Sequence, residues 1–386
     1  MLLKSLLSLS LGTFALGMAE FSMMGILPDV AVSLNISIAQ AGHFIAAYAI
    51  GVCCGAWLLV LSYRLPPKTI LLSLSALIAI GNILAALSPG YMTLLVARFI
   101  SGLPHGAYFG IGSIVATKLA PPGRSAQAVA LMIAGMTVAN LIGVPVGTWL
   151  SLHLSWRLVF TLVAVVAIIL VFTLRRFIPQ MDRLPDTGIL GQFRFLKSAA
   201  PWLILAATMF GNGGIFCWFS YISPLLTQVS GFSGNQVSLL MVLAGAGMVA
   251  GNWCGGRLAD HYTPGQVAAG LQGLAAAALL LIFLFASNSW LSAILMCVCT
   301  FCLFAVSAPQ QLLLLRHSPG GALLGAASVQ MAFNLGNAIG SYNGGLAISH
   351  HWGYQYPALL GVPLTLIGCA CLLWFHRRYE NQGQDI

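Results

Sequence analysis

Charge is what this sequence has least of. Of 386 residues only 6% are Asp, Glu, Lys or Arg, while 59% are hydrophobic; soluble proteins carry about 25% charged residues. Sixteen basic and seven acidic side chains cannot cover a soluble fold of this length. That scarcity excludes a soluble enzyme or binding domain and leaves lipid as the solvent for the surface. Other absences narrow the class further. There is no GxxxxGK[ST] loop, so the chain carries no nucleotide-hydrolysing engine of its own. The apolar runs do not alternate with polar residues, which excludes a transmembrane β-barrel. All nine cysteines fall inside apolar runs, where they read as small packing residues. Cys299 and Cys302 have CxxC spacing but lack the second ligand pair of a zinc site. His350 and His351 have no acid nearby and make a weak case for a membrane enzyme. No metal and no cofactor is expected.

What is present is a series of apolar runs, each near the 20 residues that span a bilayer as a helix. Twelve are read: 5–28, 39–61, 69–88, 92–117, 125–149, 157–178, 200–226, 236–257, 266–287, 290–315, 323–347 and 354–375. The first is too long for a signal peptide and contains Glu20, so it is read as retained. Placing the N-terminus in the cytoplasm puts fourteen of the sixteen Lys and Arg residues at inner loops and ends, among them Arg64, Lys68, Arg175, Arg194, Lys197 and Arg378. Only Arg157 falls outside, and Arg98 lies within a span. This is a strong positive-inside signal. The formal charge of +9 then faces anionic headgroups, and no nucleic acid need be invoked.

The chain also repeats itself. Its longest polar break, "RRFIPQMDRLPDTGILGQFRFLKS" at 175–198, has six spans on each side. At an offset of 196, Pro28, Ser37, Gln40, Gly51 and Gly55 meet Pro224, Ser233, Gln236, Gly247 and Gly251. At 197, Asn140, Gly143 and Gly147 meet Asn337, Gly340 and Gly344. The expected organisation is a six-helix bundle at 1–178, a cytoplasmic linker at 179–199, a second bundle at 200–376 and a tail at 377–386. The paired glycines read first as helix-packing positions, which would also let one half rock on the other.

Four stretches carry a family resemblance: "GMAEFSMMGILPDVA" in span one, "ARFISGLPHGAYFGIG" in span four, "GMTVANLIGVPVGTWL" in span five and "SWRLVF" opening span six. They resemble the twelve-span drug:proton antiporter branch of the major facilitator superfamily, and within it the arabinose-induced sugar exporters of enteric bacteria. "MFGNGGIFCWFSY" and "GNAIGSYNGG" support the second half. The resemblance implies an all-α integral membrane fold of two parallel six-helix repeats, working as a monomer in a bacterial inner membrane. It makes Arg98 the fourth-helix arginine and Gly143, Pro145 and Gly147 the fifth-helix antiporter motif. The loop after span two departs from the family. In "LVLSYRLPPK", Tyr63 stands at the acidic position and Pro66 at a glycine, leaving Arg64 and Lys68. The second copy, "GGRLADHYTPG", keeps Gly256 and Asp260 but has His261 for the arginine. A weakened or rebuilt conformational latch is expected.

Only Glu20 and Arg98 carry permanent-charge chemistry inside spans, where a charge costs about 2.5–3.5 kcal/mol on insertion scales. At helical rise they lie about 12 and 9 Å from the outer end, so an interaction, direct or through water, is reasonable. His105 and Phe109 share a helical stripe with Arg98; His105 is either a hydrogen-bonded core group or a proton relay. Asn140 and Asn337, being repeat-related, read as structural amides. Asn212, Trp218 and Tyr221 in span seven, and Gln310 and Gln311 in span ten, suit the lining of a central cavity between spans one, four, seven and ten. The expected function is proton-coupled antiport exporting a small solute, a sugar or an amphiphilic drug-like compound. An uncoupled facilitator or channel is the alternative. Burial favours a neutral Glu20 and a nearby guanidinium favours the carboxylate. That opposition makes Glu20 the expected proton carrier over Asp29, which follows a proline expected to end the first helix.

Overall fold

The computed structural model describes residues 2–62, 65–121, 125–183, 194–318 and 322–380. Among them every regular element is helical. Twelve helices form the bundle: α1 Leu2–Leu34, α2 Ile38–Leu61, α3 Pro67–Ala86, α4 Tyr91–Gly102 continued by Pro104–Leu119, α5 Ser125–Val138 continued to His153, α6 Arg157–Phe177, α7 Ala199–Phe219 continued by Ile222–Gln228, α8 Gly234–His261, α9 Pro264–Phe285, α10 Ser289–Ala305 continued by Ser307–Arg316, α11 Ala322–Ser349 and α12 Tyr356–Phe375. Ten are long and apolar enough to cross a membrane by length and composition. The other two, α4 and α11, are the ones that carry Arg98, His105, Gln330, Asn334 and Asn337.

The duplication is visible in the helix starts. Ser37 N–H donates to Gln40 Oε1 at 2.9 Å and Gln40 N–H to Ser37 Oγ at 3.1 Å, a capping box opening α2. At α8, Ser233 N–H donates to Gln236 Oε1 at 2.8 Å. The two cap residues share the same backbone angles, φ −73° and ψ 156°. The glycine pairs repeat as well. A Cβ built on Gly55 would collide with the Leu103 carbonyl oxygen of α4, and one on Gly251 with the Phe301 carbonyl oxygen of α10. Each half thus packs its second helix backbone-to-backbone on its fourth.

One expectation is corrected. Pro28 does not end α1; the helix runs through it to Leu34. Its end is set by Asn35, in the left-handed region at φ 52°. Asn35 N–H bonds Val32 O at 3.2 Å and Ile36 N–H bonds Ala31 O at 3.0 Å, which together make a Schellman stop. Val30 and Ala31 are buried beyond the proline, and their packing offsets the lost backbone bond. Asp29 therefore lies within the helix, half-buried, accepting a hydrogen bond from Ser151 Oγ.

Between the halves, α2 packs on α11 and α8 on α5. Next to Glu20, Phe21 of α1 meets Phe216 and Phe219 of α7 and Phe304 of α10, with ring centroids 5.8–6.4 Å apart. There the halves share one apolar core. A second cluster, from Phe195 to Phe375, is built of second-half residues alone.

Candidate functional site

Glu20 is 1% exposed and sits where the halves meet. Asn337 Nδ2 on α11 donates to Glu20 Oε1 at 3.3 Å, a hydrogen bond between halves in the middle of the bundle. The other carboxyl oxygen, Oε2, is 3.8 Å from His105 Nδ1 on α4. The same imidazole nitrogen is 2.8 Å from the Tyr48 hydroxyl of α2. Phe109 stacks on the far side of the imidazole, with centroids 5.2 Å apart and planes 14° from parallel. Four helices thus converge on one acid, with His105 Nδ1 hydrogen-bonded to Tyr48 and lying beside, but beyond hydrogen-bond distance of, the carboxyl group.

Local structure explains the convergence. Helix α4 is interrupted at Leu103, ahead of Pro104, because proline has no N–H to give the preceding turn. His105 lies in the first turn after this break. Helix α5 contains a π-turn at Ala139–Gly143, just before Pro145. Gly143 packs on Met18 of α1, while Gly147 faces Ser22. The fifth-helix motif therefore seats α1 at the level of Glu20.

Among the described residues no ion pair joins Glu20 to Arg98. Arg98 Nη1 instead donates to the Ala19 carbonyl at 2.7 Å, and Nε to the Phe44 carbonyl at 3.4 Å. The guanidinium lies over the Tyr48 ring at 4.4 Å and the Phe160 ring at 5.5 Å. Arg98 is a fully buried cation held by carbonyls and aromatic faces, and it braces the turn of α1 that carries the acid. The Tyr48 ring thus stacks on the guanidinium while its hydroxyl bonds the imidazole beside the acid.

The remaining sequence candidates divide. Asn212, Trp218 and Gln310 are buried, and among the described residues their side-chain polar atoms have no hydrogen-bond partner. Gln311 is half-buried. Tyr221 is engaged elsewhere: its hydroxyl donates to Ser341 O at 2.7 Å and the ring packs against Gly42 and Gly345, closing the Pro28 end between α7, α2 and α11. Lys68 donates to Arg175 O at 2.9 Å and Ile178 O at 2.6 Å, so it caps the last carbonyls of α6 within its own half. Arg64 and the Asp260 side chain lie outside the described residues. Sequence reasoning missed Tyr48 and gave Asn337 only a structural place. The stripe of Gln330, Asn334, Asn337 and Ser341 was the available signal for the second; nothing in the sequence singled out the first.

Residues 9–329 match the family described as Major Facilitator Superfamily. Over 383 residues the chain is 46% identical to "Putative transporter AraJ" of Escherichia coli strain K12, covering 99% of this chain and 97% of that one. It is 37% identical over 372 residues to "Inner membrane transport protein YdhP" of the same strain, with 96% and 95% covered. A "Probable sugar efflux transporter" of Helicobacter pylori strain P12 is 27% identical over 368 residues, with 95% and 92% covered. In fold the chain is similar to a bacterial homolog of the lysosomal transporter Spinster, in an inward-facing and unoccupied conformation. That match has a TM-score of 0.74 at 16% identity and covers 98% of this chain and 97% of that one. It is also similar to a D-xylose-proton symporter, with a TM-score of 0.72 at 17% identity, covering 95% and 97%.

Proposed function

Because the chain belongs to the major facilitator superfamily and is a multi-pass membrane transporter, we propose that it exports a small solute in exchange for protons by alternating access, with Glu20 carrying the proton. The observation that carries this reading is the buried carboxylate bonded across the two halves to Asn337. A charge-assisted hydrogen bond is about twice as strong as a neutral one. Asn337 therefore holds the halves together at this level when Glu20 is ionised and holds them less when it is protonated. A proton taken from the outer side neutralises the acid, loosens the tie and lets the halves exchange; release on the inner side restores it.

The positive-inside asymmetry places both termini in the cytoplasm and the Pro28 end outside. On that reading this conformer is closed to the outside by Phe21, Phe216, Phe219 and Tyr221. The names of relatives favour a sugar over an amphiphilic drug, and the unpartnered amides of Asn212 and Gln310 suit hydroxyl groups. The protein works as a monomer in a bacterial inner membrane. Solute flux into and out of proteoliposomes, with and without a pH gradient, tests the reading. The parent should concentrate solute against its gradient only while the pH gradient stands. The Glu20→Gln variant should exchange solute downhill yet accumulate none. Accumulation by the variant equal to the parent would refute the assignment, and gradient-independent flux in the parent would make the protein an uncoupled facilitator.

A further inference from the structure

A groove of about 330 Å³ opens on the side of the bundle, between α2 of one half and α7 and α11 of the other. Its walls include Ala56, Leu205, Met209, Met331 and Leu335. Polar groups on the walls already have partners. The Ser328 hydroxyl bonds Leu324 O at 2.7 Å, the Cys53 thiol bonds Met331 O at 3.3 Å, and the Trp202 indole N–H bonds Leu196 O at 2.8 Å. Such walls offer a sugar nothing to bond and suit an alkyl chain. Trp57 and Trp202, also on the walls, are 54% and 56% exposed, as amphipathic rings are at the membrane boundary. The Trp202 bond fixes the short helix Arg194–Lys197 at the mouth, and Leu196 of that turn forms part of the wall. On either side of Leu196 stand the exposed side chains of Arg194 and Lys197. An apolar slot beside a turn that bears two exposed cations is complementary to a lipid with an anionic headgroup.

We propose that this groove binds an anionic phospholipid, one acyl chain between the halves and the phosphate on Arg194 and Lys197. The walls belong to both halves, so the groove changes shape when one half rocks on the other. The lipid then binds one arrangement better than the other and shifts the population toward it. The site is independent of Glu20 and of the identity of the transported solute.

The test uses the full chain in nanodiscs of phosphatidylethanolamine containing, at equal trace fractions, phosphatidylglycerol or phosphatidylcholine probes with a diazirine on one acyl chain. After photolysis, peptide mapping should place label on the α2 and α11 walls, several-fold more from the phosphatidylglycerol probe. Replacing both cations (Arg194→Gln with Lys197→Gln) should remove that headgroup preference while leaving apolar labelling. Ala332→Leu, a mild filling of the groove, should reduce labelling there with little change in melting temperature. Label spread evenly over the lipid-facing surface would overturn the proposal. So would equal labelling by both probes in the parent, which would make the groove a slot for any apolar chain.

Discussion

The two halves share a backbone plan and differ in chemistry. They repeat the cap at Ser37 and Ser233 and the glycine packing at Gly55 and Gly251. Yet every ionisable group of the site is in the first half. Glu20 corresponds to Phe216 and Tyr48 to Ala244 at the offset of 196, and Arg98 to Leu295 and His105 to Cys302 at 197; all of these second-half residues are buried and apolar. What the second half contributes is neutral: the amide of Asn337 on Glu20, and the unpartnered amides of Asn212 and Gln310. At the site the duplicated scaffold is divided into an ionisable side and a polar, neutral side, and the two meet in one hydrogen bond to the acid.

Removing the buried cation should have the largest effect. Arg98→Met copies the apolar character of the second half and removes the two hydrogen bonds to the Ala19 and Phe44 carbonyls and the stacking on Tyr48. Hydrogen bonds to a charged group contribute about 1.5–3 kcal/mol each. Thermal unfolding in detergent should show a large drop in melting temperature and little folded protein; a melting temperature equal to the parent's would mean that Arg98 braces nothing.

The two repeat-related asparagines sharpen the contrast. Asn337→Ala removes a hydrogen bond to an ionisable acid, an interaction of about 1.5–3 kcal/mol, and should shift the pH dependence of transport. The Asn140 amide has no partner among the described residues, and Asn140→Ala should leave that profile in place. Identical profiles for both variants would dissolve the distinction between the halves.

The smallest effects should be the most alike. Ser37→Ala and Ser233→Ala each remove one helix cap, and each should cost about 1 kcal/mol without altering coupling. A much larger loss at one cap than at the other would mean that the duplicated starts are not equivalent in energy.

Much of this was legible in the sequence. Scarcity of charge fixes the solvent, and run lengths fix the number of spans. Glu20 stands out because an acid inside an apolar helix is expensive. Azimuth was not legible. Depth places Glu20 beside Arg98, but only the packed bundle shows that the arginine turns to the Ala19 carbonyl and the Tyr48 ring while the acid turns to Asn337 and His105. Tyr48 has no signal because an aromatic residue in an apolar span is ordinary. Pro28 misled because local propensity reads proline as a stop, whereas the packing beyond it and the left-handed Asn35 decide where α1 ends. Tyr221 looked like a cavity group by composition; its hydroxyl is engaged by a backbone carbonyl that only the fold brings near.

The central claim is that one carboxylate in the first half gains and loses the transported proton. Proton release from the detergent-solubilised protein on adding a transported solute, followed with a pH indicator in weakly buffered solution, measures this directly. The parent should release protons on solute addition, and the Glu20→Gln variant, still folded and still binding solute, should release none. Equal release from the variant would contradict the account and place the coupling group elsewhere.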